Sequence, residues 1–477
     1  MAKKKNSIKI KFCGGNSSEV TGSMIHIVAK DKNILLDAGL IQTNNLKDDY
    51  LFNSRKFDFR LNDIDYIFIS HLNADHCLLL PRLYKEGCKA RIIITKGSTD
   101  FLKEMMKDSA YIMSRDIVAL NKKSNIKYRP LYDEDDIYTV LEYVEEFDFM
   151  TLYELDSEVS FHLYPANHIP KSAQIELIIK QDNHVKKIGY TGDLGNIKIK
   201  DKYFIEDFKP IKNVNVLIGE CTYSRTNVKV ADKRRDKDIE KIITCIKKTC
   251  IQDNDKILIP TFALDRTQTM LTVLYEIFQN NKEFKDIPIY VDSPLATTIT
   301  KLYGKVMEGR DKEILDKIFA WENLRFVKDF DESQALMTKK GKAIICASSG
   351  MCDKGRSNFW VRSMVSNPNS CILFVGYAAK GTLASDIRNE SKSKFVKING
   401  KNYKNNCQFV NLLSFSAHMQ REDLLWYYSE VQCEKIALVH SEMSSKIVFA
   451  KNLQEEISRK NKTSKVICIN SGSVINL

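Results

Sequence analysis

The first third of the chain alternates short apolar runs with turn residues, a pattern typical of β-strands. The predicted strands are Ser7–Phe12, Met24–Ala29, Asn33–Asp37, Asp65–Ser70, Arg91–Thr95, Ser160–Tyr164, Gln174–Lys180 and Lys187–Thr191. Between them, Thr99–Lys123 carries apolar residues at helical spacing and predicts one long helix or two short ones. The acidic segment Asp133–Phe149 predicts a solvated helix or loop.

The pattern changes from about residue 212 onward. Compact β-rich runs now alternate with helical stretches, of which Arg266–Asn280 has the clearest apolar face. These runs are Lys256–Pro260, Pro288–Asp292, Ala343–Ala347 and Cys371–Tyr377. Such alternation predicts an α/β layer with a parallel sheet. The chain then returns to strands that end in polar residues, at Gln408–Leu413, Lys435–His440 and Lys465–Asn470.

Length and composition narrow the class of protein. A chain of 477 residues with 43% hydrophobic and 28% charged residues is typical of a soluble globular protein with two domains. No apolar run approaches the roughly 20 residues that span a bilayer. The basic N-terminal residues lead into a strand pattern instead of a signal peptide, so we expect a cytoplasmic protein. The 12 cysteines are scattered without a Cys-x-x-Cys pair, which indicates reduced, structural thiols.

The formal net charge of +12 favours a polyanionic ligand such as nucleic acid. An alternative is that the charge only reflects a lysine-rich composition of the kind that an AT-rich coding bias produces. The charge therefore supports nucleic-acid binding without establishing it.

A cluster of metal-ligand residue types follows the strand Asp65–Ser70. His71, Asp75 and His76 lie within six residues, and such side chains on one short loop can converge on one or two divalent ions. Where a His-x-His-x-Asp-His pattern would carry its second histidine, this chain has Asn73.

Other candidate ligands end apolar runs elsewhere in the chain. They are His168, His418, His440 and the glycine-flanked Asp193, whose carboxylate could bridge two metals. Each of these alone is more often a hydrogen-bonded structural histidine or an ordinary Asp turn. Their number, together with the loop that carries Asp75, favours a metal centre.

These segments resemble the motifs of the metallo-β-lactamase superfamily and, within it, the β-CASP nucleases. Asp37 resembles the first superfamily motif, His71–His76 the second, His168 the third and Asp193 the fourth. The three β-CASP motifs A, B and C are matched in order by Glu220, His418 and His440. Three further stretches are family-like, namely Pro260–Gln268, Ala347–Met351 and Val375–Tyr377 followed by Gly381–Leu383.

The resemblance implies an α/β fold, an αββα metallo-β-lactamase sandwich with an inserted α/β β-CASP domain. The sandwich would comprise residues 1–210 and 380–477, with the β-CASP domain at 211–379 acting as a lid. Nucleic acid would enter a cleft between the two domains. A homodimer is an open alternative to a monomer.

The resemblance also implies roles for individual residues. One zinc site would use His71, Asn73 and His168, the other Asp75, His76 and His440, with Asp193 bridging them. Because an amide oxygen is a weak zinc ligand, we expect the site with Asn73 to be weak or empty.

The catalytic residues would be Asp75, His418 and Glu220. His418 would donate a proton to the leaving oxygen or hold the phosphate, and Glu220 would orient it. Asp37 would support the ligand loop. Phosphate or RNA contacts would come from Ser416, Ser348, Ser349, Lys354 and Arg356, although the last two could equally be solvated surface charges.

The implied function is a zinc-dependent ribonuclease that hydrolyses single-stranded RNA through a metal-bound hydroxide. Two alternatives remain open at this point. The chain could be a catalytically weakened β-CASP protein that binds RNA or scaffolds an active partner, or it could hydrolyse DNA or a small ester. The sequence leaves endonuclease and exonuclease modes undecided.

Overall fold

The fold is described from a computed structural model. It covers residues 8–15, 20–43, 45–122, 124–181, 184–197, 203–224, 232–376, 378, 381–388 and 394–477. Ser7, Lys123 and Tyr377, at which predicted segments begin or end, lie outside the described residues. Among the described helices, none is long and apolar enough to cross a membrane.

The strands fall close to the predicted apolar runs. In chain order they are β1 Lys9–Phe12, β2 Ile25–Ala29, β3 Lys32–Leu36, β4 Tyr66–Phe68, β5 Arg91–Thr95, β6 Val144–Phe147, β7 Tyr153–Glu154, β8 Val159–Pro165, β9 Ala173–Gln181, β10 His184–Tyr190, β11 Val216–Glu220, β12 Lys256–Pro260, β13 Ile289–Asp292, β14 Leu324–Phe326, β15 Ala343–Ala347, β16 Cys371–Val375, β17 Phe395–Ile398, β18 Lys401–Lys404, β19 Gln408–Leu412, β20 Lys435–Val439, β21 Lys465–Cys468 and β22 Val474–Asn476.

The α-helices lie between these strands. They are α1 Leu46–Asn53, α2 Ala74–Cys77, α3 Leu80–Lys85, α4 Thr99–Asn121, α5 Glu134–Leu141, α6 Asp232–Cys245, α7 Arg266–Asn280, α8 Pro294–Val306, α9 Gly309–Phe319, α10 Phe330–Thr338, α11 Gly355–Met364, α12 Leu383–Arg388, α13 Arg421–Glu430 and α14 Met443–Arg459. Of the two predicted possibilities for Thr99–Lys123, one long helix or two short ones, the structure shows one long helix, α4, and α7 has the predicted bounds.

The chain divides into two compact units. The first unit comprises Met1–Ile197, Ile205–Lys229 and Ala417–Leu477, and the second comprises Lys198–Phe204 and Val230–Ser416. Each unit has its own sheets and is described separately.

Two seven-stranded sheets form the first unit, in the orders β22-β1-β2-β3-β4-β5-β6 and β21-β20-β11-β10-β9-β8-β7. Their facing side chains share one core, in which the rings of Phe68 and Phe161 meet edge to face at 5.1 Å. Helices α13 and α14 pack on the outer face of the second sheet through residues such as Tyr428 and Phe449. Outward residues of the first sheet, such as Ile67, are also buried, and α3, α4 and α5 pack together. The predicted αββα sandwich is confirmed.

The second unit is built on a six-stranded sheet in the order β14-β13-β15-β12-β16-β19, with every pairing parallel. Strands β17 and β18, which lie between β16 and β19 in the sequence, form a separate antiparallel pair. The fully buried Trp360 and the neighbouring Phe374 belong to its core. The predicted α/β layer with a parallel sheet is confirmed.

The boundaries between the two units differ from the predicted domain boundaries, which lie after residues 210 and 379. Strand β19 pairs with β16, with Ile372 opposite Phe409, so residues up to Ser416 belong to the second unit. An apolar run predicts that a strand forms, but its sequence does not state which sheet the strand joins.

The acidic segment Asp133–Phe149 also differs from the prediction. It contains α5 and then the edge strand β6, which pairs in parallel with β5. The carboxylate of Glu145 in β6 forms an ion pair with Arg91 in β5 at 2.5 Å, so a charged strand is accommodated at this sheet edge. The prediction of a solvated helix or loop was therefore wrong for the second half of the segment.

Candidate metal centre

The segment after β4 carries His71 in a loop and Asp75 and His76 in the short helix α2, and backbone hydrogen bonds hold it against the preceding chain. The N–H groups of Ser23 and Ala38 donate to the carbonyls of Asp75 and His76, both at 2.8 Å. A Cβ atom on Gly39 would come within 1.7 Å of the Asp75 carbonyl oxygen. Residue 39 must therefore be glycine for the loop to approach this closely.

Three other segments bring ligand side chains to the same place. His440 directly follows β20, and His168 and Asp193 lie in the short segments that follow the ends of β8 and β10. A Cβ atom on Gly195 would lie 1.6 Å from the carbonyl oxygen of Asn167, so a second glycine permits a close backbone contact beside His168. Both Asn167 and His440 adopt positive φ values of 62° and 54°.

The side chains form two groups, and one carboxylate lies between them. In the first group, Nε2 of His71 and Nε2 of His168 lie 3.6 Å and 3.8 Å from Oδ2 of Asp193. The second group contains Asp75, His76 and His440, with one ligand atom of each residue within 4.8 Å of the others.

The other oxygen of Asp193 faces this second group. Oδ1 lies 3.5 Å from Nε2 of His76 and 3.4 Å from Nδ1 of His440. Asp193 thus presents one oxygen to each group, which is the arrangement that a bridging ligand needs.

Buried atoms without partners show that these residues suit cations. Among the described residues, Nε2 of His71, Nε2 of His76 and Oδ1 of Asp193 are buried and have no hydrogen-bond partner. Such atoms are costly unless a ligand satisfies them. Imidazole nitrogens and carboxylate oxygens are the donor set that zinc prefers when no thiolate is present, so the residues fit a zinc ion in either group.

The charges of the centre favour metal binding. Burial, and then the neighbouring His76, lower the pKa of His71 to about 3, so its ring is neutral. Burial would lower the pKa of His76 as well, but the carboxylates of Asp193, Asp37 and Asp75 raise it to about 10.

The carboxylates of the centre stay ionised. Burial opposes this, but His76 and His440 lower the pKa of Asp75 to about 2, and the surrounding histidines hold the pKa of Asp193 well below its usual range. Without metal, His76 holds a proton that a cation would displace.

The carboxylate of Asp37 supports the ligand loop from behind. Asp37 is fully buried and accepts hydrogen bonds from Ser70 N at 2.7 Å, Ser70 Oγ at 2.8 Å and the Tyr190 hydroxyl at 2.6 Å. It also accepts from Nδ1 of His76 at 2.7 Å, which leaves Nε2 of that ring facing the cluster. Orientation by a carboxylate behind a ligand histidine is common in metal sites.

Asn73 lies beside the first group. Its amide nitrogen is 3.1 Å from Nε2 of His168. The amide therefore contacts the same ring nitrogen that faces Asp193.

His418 borders the first group and is held by Glu220. Nδ1 of His418 lies 3.4 Å from Oε1 of Glu220, and the ring centroids of His418 and His168 are 4.5 Å apart. Glu220 is itself buried and accepts from the N–H groups of Leu194 at 3.1 Å and Thr222 at 2.7 Å. The Glu220 carboxylate thus orients the ring of His418 next to the cluster.

Sequence reasoning did not identify some of the supporting residues. The hydroxyl of Thr222 lies 3.0 Å from Nδ1 of His440, and Ser70 and Tyr190 contact Asp37. All three are polar residues at or just after strand ends, which is the signal that could have found them.

The predicted phosphate ligands lie in the second unit. Ser348, Ser349, Lys354, Arg356 and Ser416 all belong to it, whereas every residue of the two ligand groups belongs to the first. Within its unit, Arg356 donates to the Asp329 carbonyl at 3.2 Å and lies 3.7 Å from Asp292. Arg356 is therefore already held by protein contacts.

Three family models match the chain in sequence order. The metallo-β-lactamase superfamily matches residues 18–199, the β-CASP domain residues 267–387, and the Zn-dependent metallo-hydrolase RNA specificity domain residues 402–464. The chain belongs to the β-CASP family of the metallo-β-lactamase superfamily. The predicted family, fold and hydrolase class are therefore confirmed, and membership of a zinc-dependent metallo-hydrolase family implies a metal cofactor for this β-CASP chain.

Similar proteins cover most of this β-CASP chain. A ribonuclease of Thermus thermophilus is 25% identical over 92% of this chain and 94% of its own length. The cleavage and polyadenylation specificity factor 73 of Drosophila melanogaster is 28% identical over 93% of this chain. A transcription termination factor, FttA, of Methanocaldococcus jannaschii is 26% identical over 93% of this chain. The chain spans 61% of the Drosophila protein and 68% of the archaeal one.

A solved structure shares the fold. A protein from Enterococcus faecalis, described as of unknown function, aligns over 99% of this chain and all of its own with a TM-score of 0.55 and 12% identity. At that identity the likeness concerns the fold alone.

Proposed function

We propose that this β-CASP chain is a zinc-dependent ribonuclease that hydrolyses phosphodiester bonds of single-stranded RNA. The observation that carries the proposal is the position of Asp193, which presents one oxygen to each of two ligand groups. Paired metal sites that share a bridging carboxylate suit the displacement of an oxygen at phosphorus.

The ligand roles follow from the two groups. His71 and His168 would hold one zinc, and Asp75, His76 and His440 the other, with Asp193 shared. Bound zinc would supply Lewis acidity and a water molecule of lowered pKa. Because Asn73 offers only an amide beside the first group, we propose that the second group binds zinc more tightly.

His418 is the proposed proton donor to the leaving oxygen. Its Nδ1 faces Glu220 at 3.4 Å, so the opposite ring nitrogen is free to point toward a substrate. Glu220 is a positioning residue, because its contacts to the Leu194 and Thr222 N–H groups fix the carboxylate that holds the ring. Asp75 would contribute as a zinc ligand in the second ligand group.

RNA is the preferred substrate because residues 402–464 match a domain described as conferring RNA specificity. The Thermus relative is named a ribonuclease, and the net charge of +12 suits a polyanion. A homodimer and a cytoplasmic location stay predictions.

A second candidate function is RNA binding with little or no hydrolysis. The contact between Asn73 and His168 favours it, because it alters the first ligand group in a way that lowers the expected metal occupancy. Such a chain would bind RNA or support an active partner.

The deciding experiment measures cleavage of end-labelled RNA by zinc-loaded protein. Wild type, Asn73→His, Asp75→Ala and His418→Ala would be compared on matched RNA and DNA oligonucleotides. The proposal expects RNA cleavage by wild type and none by Asp75→Ala. RNA binding without cleavage at any zinc load would support the second candidate, and preferential DNA cleavage would contradict RNA as substrate.

A further inference from the structure

In the second unit, the guanidinium of Arg266 has no hydrogen-bond or ion-pair partner among the described residues. Arg266 is the first residue of α7 and only 9% exposed. Its Nε is buried without a hydrogen-bond partner, and no carboxylate in the described ranges lies within ion-pair distance of it. A buried cation is unfavourable unless an anion compensates it.

A second arginine lies within electrostatic range of the first. Arg235 on α6 places its guanidinium 4.2 Å from the ring centroid of the buried Phe415. Burial, and then the positive charge of Arg266, lower the pKa of Arg235 to about 10. Within the part of the chain that the structure describes, Arg235 has no ion pair either. The positive charges of Arg235 and Arg266 therefore repel each other in surroundings that are partly shielded from solvent.

None of the nearby carboxylates forms an ion pair with either arginine among the described residues, although Oδ1 of Asp265 is itself buried without a hydrogen-bond partner. Asp238 accepts from the backbone N–H and hydroxyl of Ser414, both at 2.9 Å, and pairs with Lys241 at 2.7 Å. Glu276 accepts from the Tyr203 hydroxyl at 3.3 Å. Asp265 precedes Arg266 but lies beyond ion-pair distance of its guanidinium. None of these acids neutralises either arginine through a direct contact.

The position in the fold is one where α/β proteins bind anions. Strand β12 ends at Pro260 and α7 begins at Arg266, so the arginine lies at the carboxyl edge of the parallel sheet. Ligands of open α/β sheets bind at this edge. The N-terminal end of a 15-residue helix adds a partial positive charge.

We propose that Arg235 and Arg266 form a subsite for a backbone phosphate of the RNA. This inference rests on the proposed function, because it takes RNA as the ligand. The phosphodiester oxyanion would receive hydrogen bonds from two guanidinium groups, the geometry that arginine offers best. These residues are distinct from the serines and basic residues that the sequence predicts as phosphate ligands.

The test measures binding of a fluorescein-labelled single-stranded RNA by anisotropy in EDTA, across a series of salt concentrations. Arg235→Gln and Arg266→Gln should each weaken binding about tenfold. The double variant should also reduce the slope of log K against log salt by about 0.7, the value for one phosphate contact on a single strand, and each single variant should reduce it by a measurable part of that amount. Arg325→Gln is the matched control, because it removes an exposed arginine of the same unit and should change neither quantity beyond the error.

Thermal unfolding without RNA separates this role from a structural one. Removing one of two repelling cations should leave the midpoint unchanged or raise it. If Arg235 only packs on Phe415, Arg235→Gln lowers the midpoint and leaves the salt slope unchanged, and the proposal is wrong. Arg266→Lys, which keeps the charge, covers the case in which a glutamine variant does not fold, and should weaken binding with little change in slope.

Two further outcomes are distinguishable. In the first, inorganic phosphate stabilises wild type but neither variant changes the affinity for RNA. This result would mean that Arg235 and Arg266 bind a small anion, and it would overturn the RNA subsite. Cleavage of RNA by wild type with unchanged affinity in both variants would contradict the subsite alone. RNA binding that depends on both arginines, without cleavage at any zinc load, would contradict the proposed nuclease activity alone.

Discussion

The side-chain amide nitrogen of Asn73 lies 3.1 Å from Nε2 of His168. An amide nitrogen has no lone pair to offer a metal, and by donating to Nε2 it engages the lone pair with which the ring would bind one. The same Nε2 faces the Asp193 carboxylate at 3.8 Å. Asn73 therefore competes with a cation for His168, in addition to being a weaker ligand than histidine.

Replacing Asn73 by histidine should restore the first ligand group. We expect Asn73→His to bind its weaker zinc equivalent at least about tenfold more tightly. Tenfold is the smallest change in metal affinity that is typical even for residues that only hydrogen-bond to a metal ligand. Equilibrium dialysis in buffered zinc, followed by elemental analysis, measures this. Asn73→Ala is the control, since it removes the contact to His168 without adding a ligand. Equal zinc content in wild type and Asn73→His at every free zinc concentration would refute the prediction.

Removing the carboxylate of Asp37 should destabilise the metal-free protein strongly. Asp37→Ala leaves the charged ring of His76 buried without its closest partner and removes three further hydrogen bonds. The expected loss is about 3–5 kcal/mol in the free energy of unfolding. Tyr190→Phe removes only one of these bonds and should cost about 1 kcal/mol. Urea unfolding of both variants in EDTA measures the difference, and similar losses would contradict the supporting role.

The substitution Gly195→Ala should prevent the metal-ligand groups from assembling. The new Cβ atom would lie 1.6 Å from the Asn167 carbonyl oxygen, so the backbone that carries His168 must move. We expect a loss of more than about 4 kcal/mol, or no folded protein at all. Gly309→Ala is the control, because that glycine has a φ of 54° and no atom within 4 Å, and it should cost only about 1–2 kcal/mol. Thermal unfolding and zinc content of the two variants decide the matter.

The stability of the metal-free protein should be highest near pH 6.5. The pKa of His76 is raised from 6.5 to about 10, so its contribution is complete below pH 6.5 and is lost as the pH rises toward 10. The pKa of His71 is lowered from 6.5 to about 3, so the unfolded chain gains a proton first and stability falls as the pH drops below 6.5.

Urea unfolding in EDTA from pH 4 to pH 10 would measure this profile. The zinc-loaded protein is the comparison, and it should lack the alkaline decline because the metal takes the place of the His76 proton. A metal-free profile that is flat from pH 6.5 to pH 9 would show that His76 does not hold its proton in the folded state.

The substitution His418→Ala should abolish RNA cleavage without lowering the zinc content of the protein. His418 belongs to neither ligand group, so zinc content should equal that of wild type. The single-turnover rate should fall by about 10²–10⁴, the range for loss of a general acid. His184→Ala, at an exposed histidine in β10, should change neither quantity. A drop in zinc content equal to the drop in rate would mean that His418 acts on the metal instead.

The sequence identifies the centre because its ligands end strands. His168, Asp193 and His440 each follow a buried apolar run, and Gly195 and Gly39 mark the close backbone approaches beside them. Strand formation and strand ends depend on local composition, which a single sequence contains. The approximate fold and the gathering of these side chains at one place could therefore be predicted, and their role as zinc ligands stays a prediction.

Features that depend on distant partners could not be predicted. Glu145 in β6 forms an ion pair with Arg91 in β5, and β19 joins β16 rather than the sheets of the first unit. The contact of Asn73 with His168 joins segments on two different sheets, and the isolation of Arg266 is visible only once its surroundings are known. Each depends on which side chains tertiary structure brings together.

The parallel pairing of β11 with β20, in which Glu220 lies opposite Val439, has a consequence for synthesis of the protein. Most of the second unit, Val230–Ser416, is translated between these two strands, so a nascent chain that has already made His71, His168 and Asp193 still lacks the strand that delivers His440. Pairing of strands so distant in sequence is slow and comes late in folding. The second ligand group is therefore completed only after β20 has been made, so zinc binding by that group should follow translation of most of the second unit.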